Sequence, residues 1–215
     1  TSPVCIDWGT QLLTGNFAPA GTFSGPGITN HGNGTATFDP AVAGGGTHTI
    51  TYTYTDINGC INSDSQTVVV NLLPSLKFRV LANHYCLGDG VVTVTGSEAP
   101  NGYFTINGNP GPFSYFVDNG DGTADFDPTD AGIGIYTIRY FYTDVNSCTN
   151  QATRTTQVHP LPVPSLTGPT LICAATTGNV YTTDAGMSNY SWTVSAGGTI
   201  TAGGGAGNRT VTVTW

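Results

Sequence analysis

The sequence predicts an all-β protein made of tandem antiparallel β-sandwich domains joined by short proline-containing linkers. Three observations predict it. Apolar and polar residues alternate over long stretches. Thr49-Ile50-Thr51-Tyr52-Thr53-Tyr54-Thr55 sets Ile50, Tyr52 and Tyr54 on one face, and Thr137-Ile138-Arg139-Tyr140-Phe141-Tyr142 sets Ile138, Tyr140 and Tyr142 on one face with Arg139 opposite. Turn dipeptides suited to hairpins punctuate these runs: Asn33-Gly34, Asn58-Gly59, Asn107-Gly108 and Asp121-Gly122. Finally, the chain repeats itself. GNGTATFDP (Gly32–Pro40) returns as GDGTADFDP (Gly120–Pro128), and ITYTYTDINGC, ending at Cys60, returns as IRYFYTDVNSC, ending at Cys148, at a shift of about 88 residues. Self-similarity at this period marks an array of modules.

The Phe38-Asp39-Pro40 and Phe126-Asp127-Pro128 tripeptides read as a core Phe followed by an Asp-Pro turn. The long Tyr-rich strand comes next, then the cysteine, then a further strand: Thr67–Val70 in the first copy and Thr153–Val158 in the second. Proline marks the boundaries. Asn71-Leu72-Leu73-Pro74-Ser75-Leu76 separates the first two copies, and His159-Pro160-Leu161-Pro162-Val163-Pro164 separates the second copy from the third unit. Such spacers favour extended, semi-rigid geometry. The expected domains are residues 1–73, 74–162 and 163–215. The third is read as partial, because it has no FDP segment and only one cysteine. In it, Tyr190-Ser191-Trp192-Thr193-Val194 reads as a strand with Trp192 plugging the core, and Arg209 to Trp215 reads as another strand.

Composition removes several function classes. Charged residues are 8% of the chain and the net charge is −8. The 5 basic residues form no stripe, so nucleic acid is a poor partner. No apolar run approaches transmembrane-helix length, so the chain does not read as membrane-embedded. Low charge does not mean disorder here, because Thr, Val, Ile, Tyr and Phe supply strand-forming, buriable side chains.

The five cysteines are Cys5, Cys60, Cys86, Cys148 and Cys173. Each complete copy holds one near its start and one after its Tyr-rich strand. Pairing within copies gives Cys5–Cys60 and Cys86–Cys148, and leaves Cys173 for a partner beyond the chain end. The sequence alone also admits other pairings. Disulfides imply an extracellular, oxidising setting. Loops of this size predict about 4 kcal/mol each in the chain-entropy model. If entry and exit strands meet at one pole, each bridge clips a module shut, and reduction adds on the order of 180 Å of contour per module.

Catalysis is not expected. His31, His48, His84 and His159 fall in turns, at a strand edge and in a linker, with no repeating acidic partner. No metal set accompanies the cysteines. The oxygen-rich run Asp118–Asp127 raises calcium, with Asp118, Asp121 and Asp125 as candidate ligands. It departs from the EF-hand pattern, since Val117 stands where a ligand is required. A hairpin turn leading into a strand accounts for both copies of the segment, and no other cofactor is implied.

These residues together carry a resemblance. TFSGPGI (Thr22–Ile28), then TFDPAVAGGGTHTITYTYTDINGC (Thr37–Cys60), then a Thr/Val strand and a proline, resemble the tandem immunoglobulin-like and PKD-like repeats of giant cell-surface adhesins of the Bacteroidetes, including those of gliding motility. YSWTVSAGGTITAGGGAGNRTVTVTW (Tyr190–Trp215) is similar to the PKD-like modules of the same proteins. The resemblance implies type IX secretion, cell-surface display, and adhesion, sometimes on a moving filament. It implies neighbouring repeats as partners, with surface polysaccharide or cell-surface proteins as ligands. The alternative is a carbohydrate-binding or spacer region of a secreted multidomain hydrolase. The second copy departs from the pattern, with a longer, different stretch at Tyr103–Phe116 in place of TFSGPGI.

Overall fold

The computed structural model describes residues 4–17 and 19–215, so the first residues of the expected 1–73 domain lie outside it. The chain forms two compact units, Thr1–Pro160 and Leu161–Trp215. All-β architecture holds throughout, broken only by two single helical turns among the described residues.

The first half of the larger unit contains β1 (Val4–Cys5), β2 (Gln11–Thr14), β3 (Thr22–Ser24), β4 (Ile28–Asn30), β5 (Thr35–Phe38), the turn α1 (Pro40–Ala43), β6 (Gly46–Thr55) and β7 (Ile61–Asn71). They make two sheets, ordered β1-β7-β6-β3 and β2-β5-β4. The second half contains β8 (Phe78–Arg79), β9 (His84–Cys86), β10 (Val92–Gly96), β11 (Tyr103–Ile106), β12 (Phe116–Asp118), β13 (Thr123–Phe126), the turn α2 (Pro128–Ala131), β14 (Gly134–Thr143) and β15 (Thr149–His159). Its sheets are β11-β14-β15-β9 and β12-β13-β10-β8. The Tyr-rich runs are therefore the long strands β6 and β14, and each cysteine after them sits in a β6–β7 or β14–β15 hairpin.

The register repeats with the sequence. Val4 lies opposite Val70 and Cys5 opposite Asn71. Tyr85 lies opposite Val158 and Cys86 opposite His159. In both halves this entry-strand pairing is parallel, while the other ladders are antiparallel.

Residues from both sheets of the second half interdigitate. Phe78, Val94, Phe116 and Phe126 from one sheet meet Tyr85, Phe104, Ile106, Tyr136, Ile138, Tyr140 and Val158 from the other. Phe78 meets Phe104 edge-on at 5.5 Å between centroids, a geometry that sets positive ring edge against negative face. The Tyr140 hydroxyl crosses the core and donates to the Asn101 carbonyl at 2.6 Å. Burial raises its phenol above the ordinary tyrosine value. Gly96 and Gly102 line the ring so closely that a Cβ at either would collide with it. Tyr52 repeats the device with the Ala20 carbonyl at 2.8 Å, flanked by Gly15 and Gly21.

The FDP tripeptides do what the sequence indicates and something more. Phe38 and Phe126 are buried. Asp39 and Asp127 also cap the helical turns that come after them. Asp127 accepts from Thr129 N at 2.8 Å and Asp130 N at 3.3 Å, with Pro128 at the first helical position, where its missing N–H costs nothing. Asp127→Ala is expected to lower stability by about 1 kcal/mol in urea unfolding, and Asp127→Asn by much less, since Asn also caps. Equal losses for the two would refute the capping role.

The smaller unit has β16 (Leu166–Thr167), β17 (Asn179–Thr183), β18 (Thr199–Gly203) and β19 (Thr210–Thr214) in one antiparallel sheet, ordered β16-β17-β19-β18. That order matches β8-β10-β13-β12 of the second half. Val211 and Val213 are its buried residues. The strand expected at Tyr190–Val194 is not formed. Side chains and single backbone bonds hold this segment instead of a ladder. Trp192 Nε1 donates to the Asn208 carbonyl at 2.9 Å, the Tyr190 hydroxyl to the Asp184 carbonyl at 2.8 Å, and Tyr190 N to the Ala206 carbonyl at 2.9 Å. Trp192 is half-buried and does not plug a core.

Candidate functional site at the disulfide-bonded junction

Two local frames, each present twice, position the cysteines. The first is the entry strand. In the first half, Ile6 N donates to the Asn71 carbonyl at 2.9 Å and Trp8 N to the Cys5 carbonyl at 3.0 Å. In the second half, Leu87 N donates to the His159 carbonyl at 2.8 Å and Asp89 N to the Cys86 carbonyl at 3.0 Å. Cys5 and Cys86 thus occupy equivalent places beside the C-terminal ends of β7 and β15.

The second frame is the hairpin tip. The Asp56 carboxylate accepts from Asn58 N at 2.9 Å and Cys60 N at 2.8 Å, and Asp56 N donates to the Cys60 carbonyl at 2.9 Å. Asp144 accepts from Asn146 N and Cys148 N, both at 2.9 Å, and its own N–H donates to the Cys148 carbonyl at 3.0 Å. Asp favours such turns because its side chain bonds its own backbone two residues on. The Cys60 amide is the main cause that holds the Asp56 carboxyl below its ordinary value of 3.8. The bond therefore supports this tip above pH 3.8 and is lost as pH falls through the lowered value.

The structure joins Cys5 to Cys148, with 5.6 Å between Cα atoms and a sequence separation of 143. This corrects the expected pairings Cys5–Cys60 and Cys86–Cys148. The reason is the parallel entry strand. Cys5 lies beside Asn71, at the far end of β7 from Cys60. That strand has 11 residues and spans about 35 Å. A disulfide needs Cα atoms within about 7 Å, so Cys5 and Cys60 cannot meet. Cys86 and Cys148 are separated by β15 in the same way. The bridge instead fastens the end of one half to the hairpin of the next. Cys5 is 1% exposed and Cys148 0%. Among the described residues Cys60, Cys86 and Cys173 carry no disulfide, and all three are exposed.

Other singled-out residues disperse. The three calcium candidates each bond a different partner: Asp118 accepts from Phe104 N at 3.2 Å, Asp121 from Thr123 N at 3.0 Å, and Asp125 from Thr93 Oγ1 at 2.6 Å. Burial raises the Asp118 carboxyl above its ordinary value, while the Thr123 hydroxyl lowers that of Asp121. Among the described residues no three His, Cys, Asp or Glu side chains converge as metal ligands. His31 contacts the Thr35 and Thr37 hydroxyls, and His48 the Gly44 carbonyl. His84 and His159 pair at 3.1 Å beside Cys86. No helix among the described residues is long and apolar enough to cross a membrane. An open cavity of about 570 Å³ in the smaller unit is lined by Pro162, Pro164, Leu166, Met187, Tyr190 and Trp192.

Comparison with curated protein sequences gives no match. Among solved structures, the chain is similar to the insect immune protein hemolin, with 15% identity over 75% of this chain and 45% of that one and a TM-score of 0.34. It is similar to the fibronectin(III)-like modules of CbhA from Clostridium thermocellum, with 13% identity over 74% and 91% and a TM-score of 0.35. A Ca2+-stabilised ice-binding adhesin of an Antarctic bacterium shares 12% identity over 86% and 58%, with a TM-score of 0.31. The chain thus spans less than half of the hemolin structure. Residues 159–215 match the family model of the PKD-like domain.

Proposed function

We propose that the chain is a structural repeat segment of a large exported cell-surface adhesin or filament, serving surface attachment and gliding motility. Its domains are residues 1–73, 74–162 and 163–215, with the last PKD-like. Export proceeds by type IX secretion, and the partners are neighbouring repeats, with surface polysaccharide or cell-surface protein as the adhesive ligand. One observation carries the reading. The Cys5–Cys148 bridge ties successive modules to one another instead of closing each on itself. A covalent tie between neighbours resists pulling along the array and contributes nothing to a reaction centre.

Deletion of this segment in the producing cells is expected to abolish attachment to a surface and spreading over it, with growth unchanged. Attachment and spreading at normal levels would overturn the proposal. The alternative, a carbohydrate-binding or spacer region of a secreted multidomain hydrolase, has one supporting feature for its carbohydrate-binding form, the cavity beside Tyr190 and Trp192. Selective binding of the purified chain on a glycan array, lost in Trp192→Ala, together with normal attachment of cells lacking the segment, would favour that reading.

A further inference from the structure

Cys60 and Cys86 are the unmatched halves of a pattern that the structure completes once. Cys60 sits in the Asp56 turn with the same bonds that the Asp144 turn gives Cys148. Cys86 sits opposite His159 with the same register and the same two flanking bonds that Cys5 has opposite Asn71. The bridged pair is fully buried and the unbridged pair is exposed. The turn and register bonds that hold the two sets match, and the bridged set differs in having a neighbouring module against it. Cys86 lies beside the end of β15, just before the proline linker that leads out of its module, as Cys5 lies beside the end of β7 before the linker at Pro74. Cys60 lies on the hairpin tip that, in the second module, faces the module before it.

We propose that Cys60 and Cys86 form further staggered disulfides along the array. Cys86 takes the hairpin cysteine of a later module in the same chain, and Cys60 takes the entry-strand cysteine of an earlier one. The inference rests on the array reading above, and names its covalent register. Each bridge forms by thiol–disulfide exchange. A cysteine thiolate attacks a disulfide-class oxidant, such as an oxidised dithiol protein of the export compartment, giving a mixed disulfide. The partner thiolate then displaces the oxidant's sulfur. One S–S bond forms in the array, two protons leave the array thiols, and the oxidant departs as its reduced dithiol.

The test is peptide mapping of the protein taken from the surface of its own cells. Free thiols are blocked by alkylation at harvest and the chain is digested without reduction. Cys60 and Cys86 are expected to be unalkylated. Cys86 should be linked to a cysteine four residues after an Asp, in a hairpin sequence of the Asp144–Cys148 kind, and Cys60 to an entry-strand cysteine. Cys5–Cys148 is the internal reference. In Cys86→Ser, one new alkylated thiol should appear, in the hairpin of a later module, with Cys5–Cys148 intact. Alkylated Cys60 or Cys86 in the parent chain, or links Cys60–Cys86, Cys5–Cys60 or Cys86–Cys148, would overturn the proposal. Alkylated thiols on cells that still attach through this protein would sink the register and leave the adhesive reading standing.

Discussion

Pulled by its ends under oxidising conditions, the chain is expected to keep most of its larger unit out of reach of the force. The Cys5–Cys148 bridge diverts tension past the residues it encloses, a separation of 143. Reduction, or Cys5→Ser, should release about 480 Å of additional contour in one set, at roughly 3.4 Å per residue. Pairing within modules would instead release two separate increments of on the order of 180 Å each. Single-molecule stretching with and without reductant separates the two outcomes, and an unchanged length would refute both. In solution the same bridge limits the unfolded chain. For a loop this long the chain-entropy model assigns it about 5 kcal/mol, above the roughly 4 kcal/mol of the shorter loops. The effect falls on both modules together, because one bridge encloses strands of both.

The second large effect lies in the core. Tyr140 is 0% exposed and fills space between Phe104, Gly96 and Gly102. Tyr140→Ala is expected to cost about 3–5 kcal/mol, since the cavity left by a buried aromatic collapses only partly. Tyr140→Phe keeps the ring and loses the bond to the Asn101 carbonyl, at about 1 kcal/mol plus the cost of the unpaired acceptor. Tyr52→Ala, the same change one repeat earlier, should cost less, because Tyr52 is only half-buried. The sheet facing it, β2-β5-β4, has three strands where the second module has four. Urea unfolding of the three variants checks the order. Equal losses for Tyr52→Ala and Tyr140→Ala would show that burial does not set the difference.

Much of this fold was legible in the residues. Alternation in Thr49–Thr55 and Thr137–Tyr142 located β6 and β14, because side chains on a strand alternate between faces whatever the strand pairs with. The Asn-Gly and Asp-Gly pairs located turns for the same local reason. Tyr190–Val194 misled, since its alternation is real but no neighbouring strand pairs with it. The capping by Asp39 and Asp127 was missed, although Asp-Pro before a short run is the pattern that starts a helical turn.

The repeat, the strands, the hairpins and the sandwich plan of each complete copy come from the sequence by itself, because each depends on neighbours within a few residues or on a periodic pattern. The partner of each cysteine does not. It depends on whether β1 and β9 run parallel or antiparallel to the strands they join, and the residues of a two- or three-residue strand carry no record of that direction. The tertiary structure places them parallel, moves Cys5 some 35 Å from Cys60, and brings it to Cys148. A bond that the sequence assigns within a module thereby becomes a bond between modules.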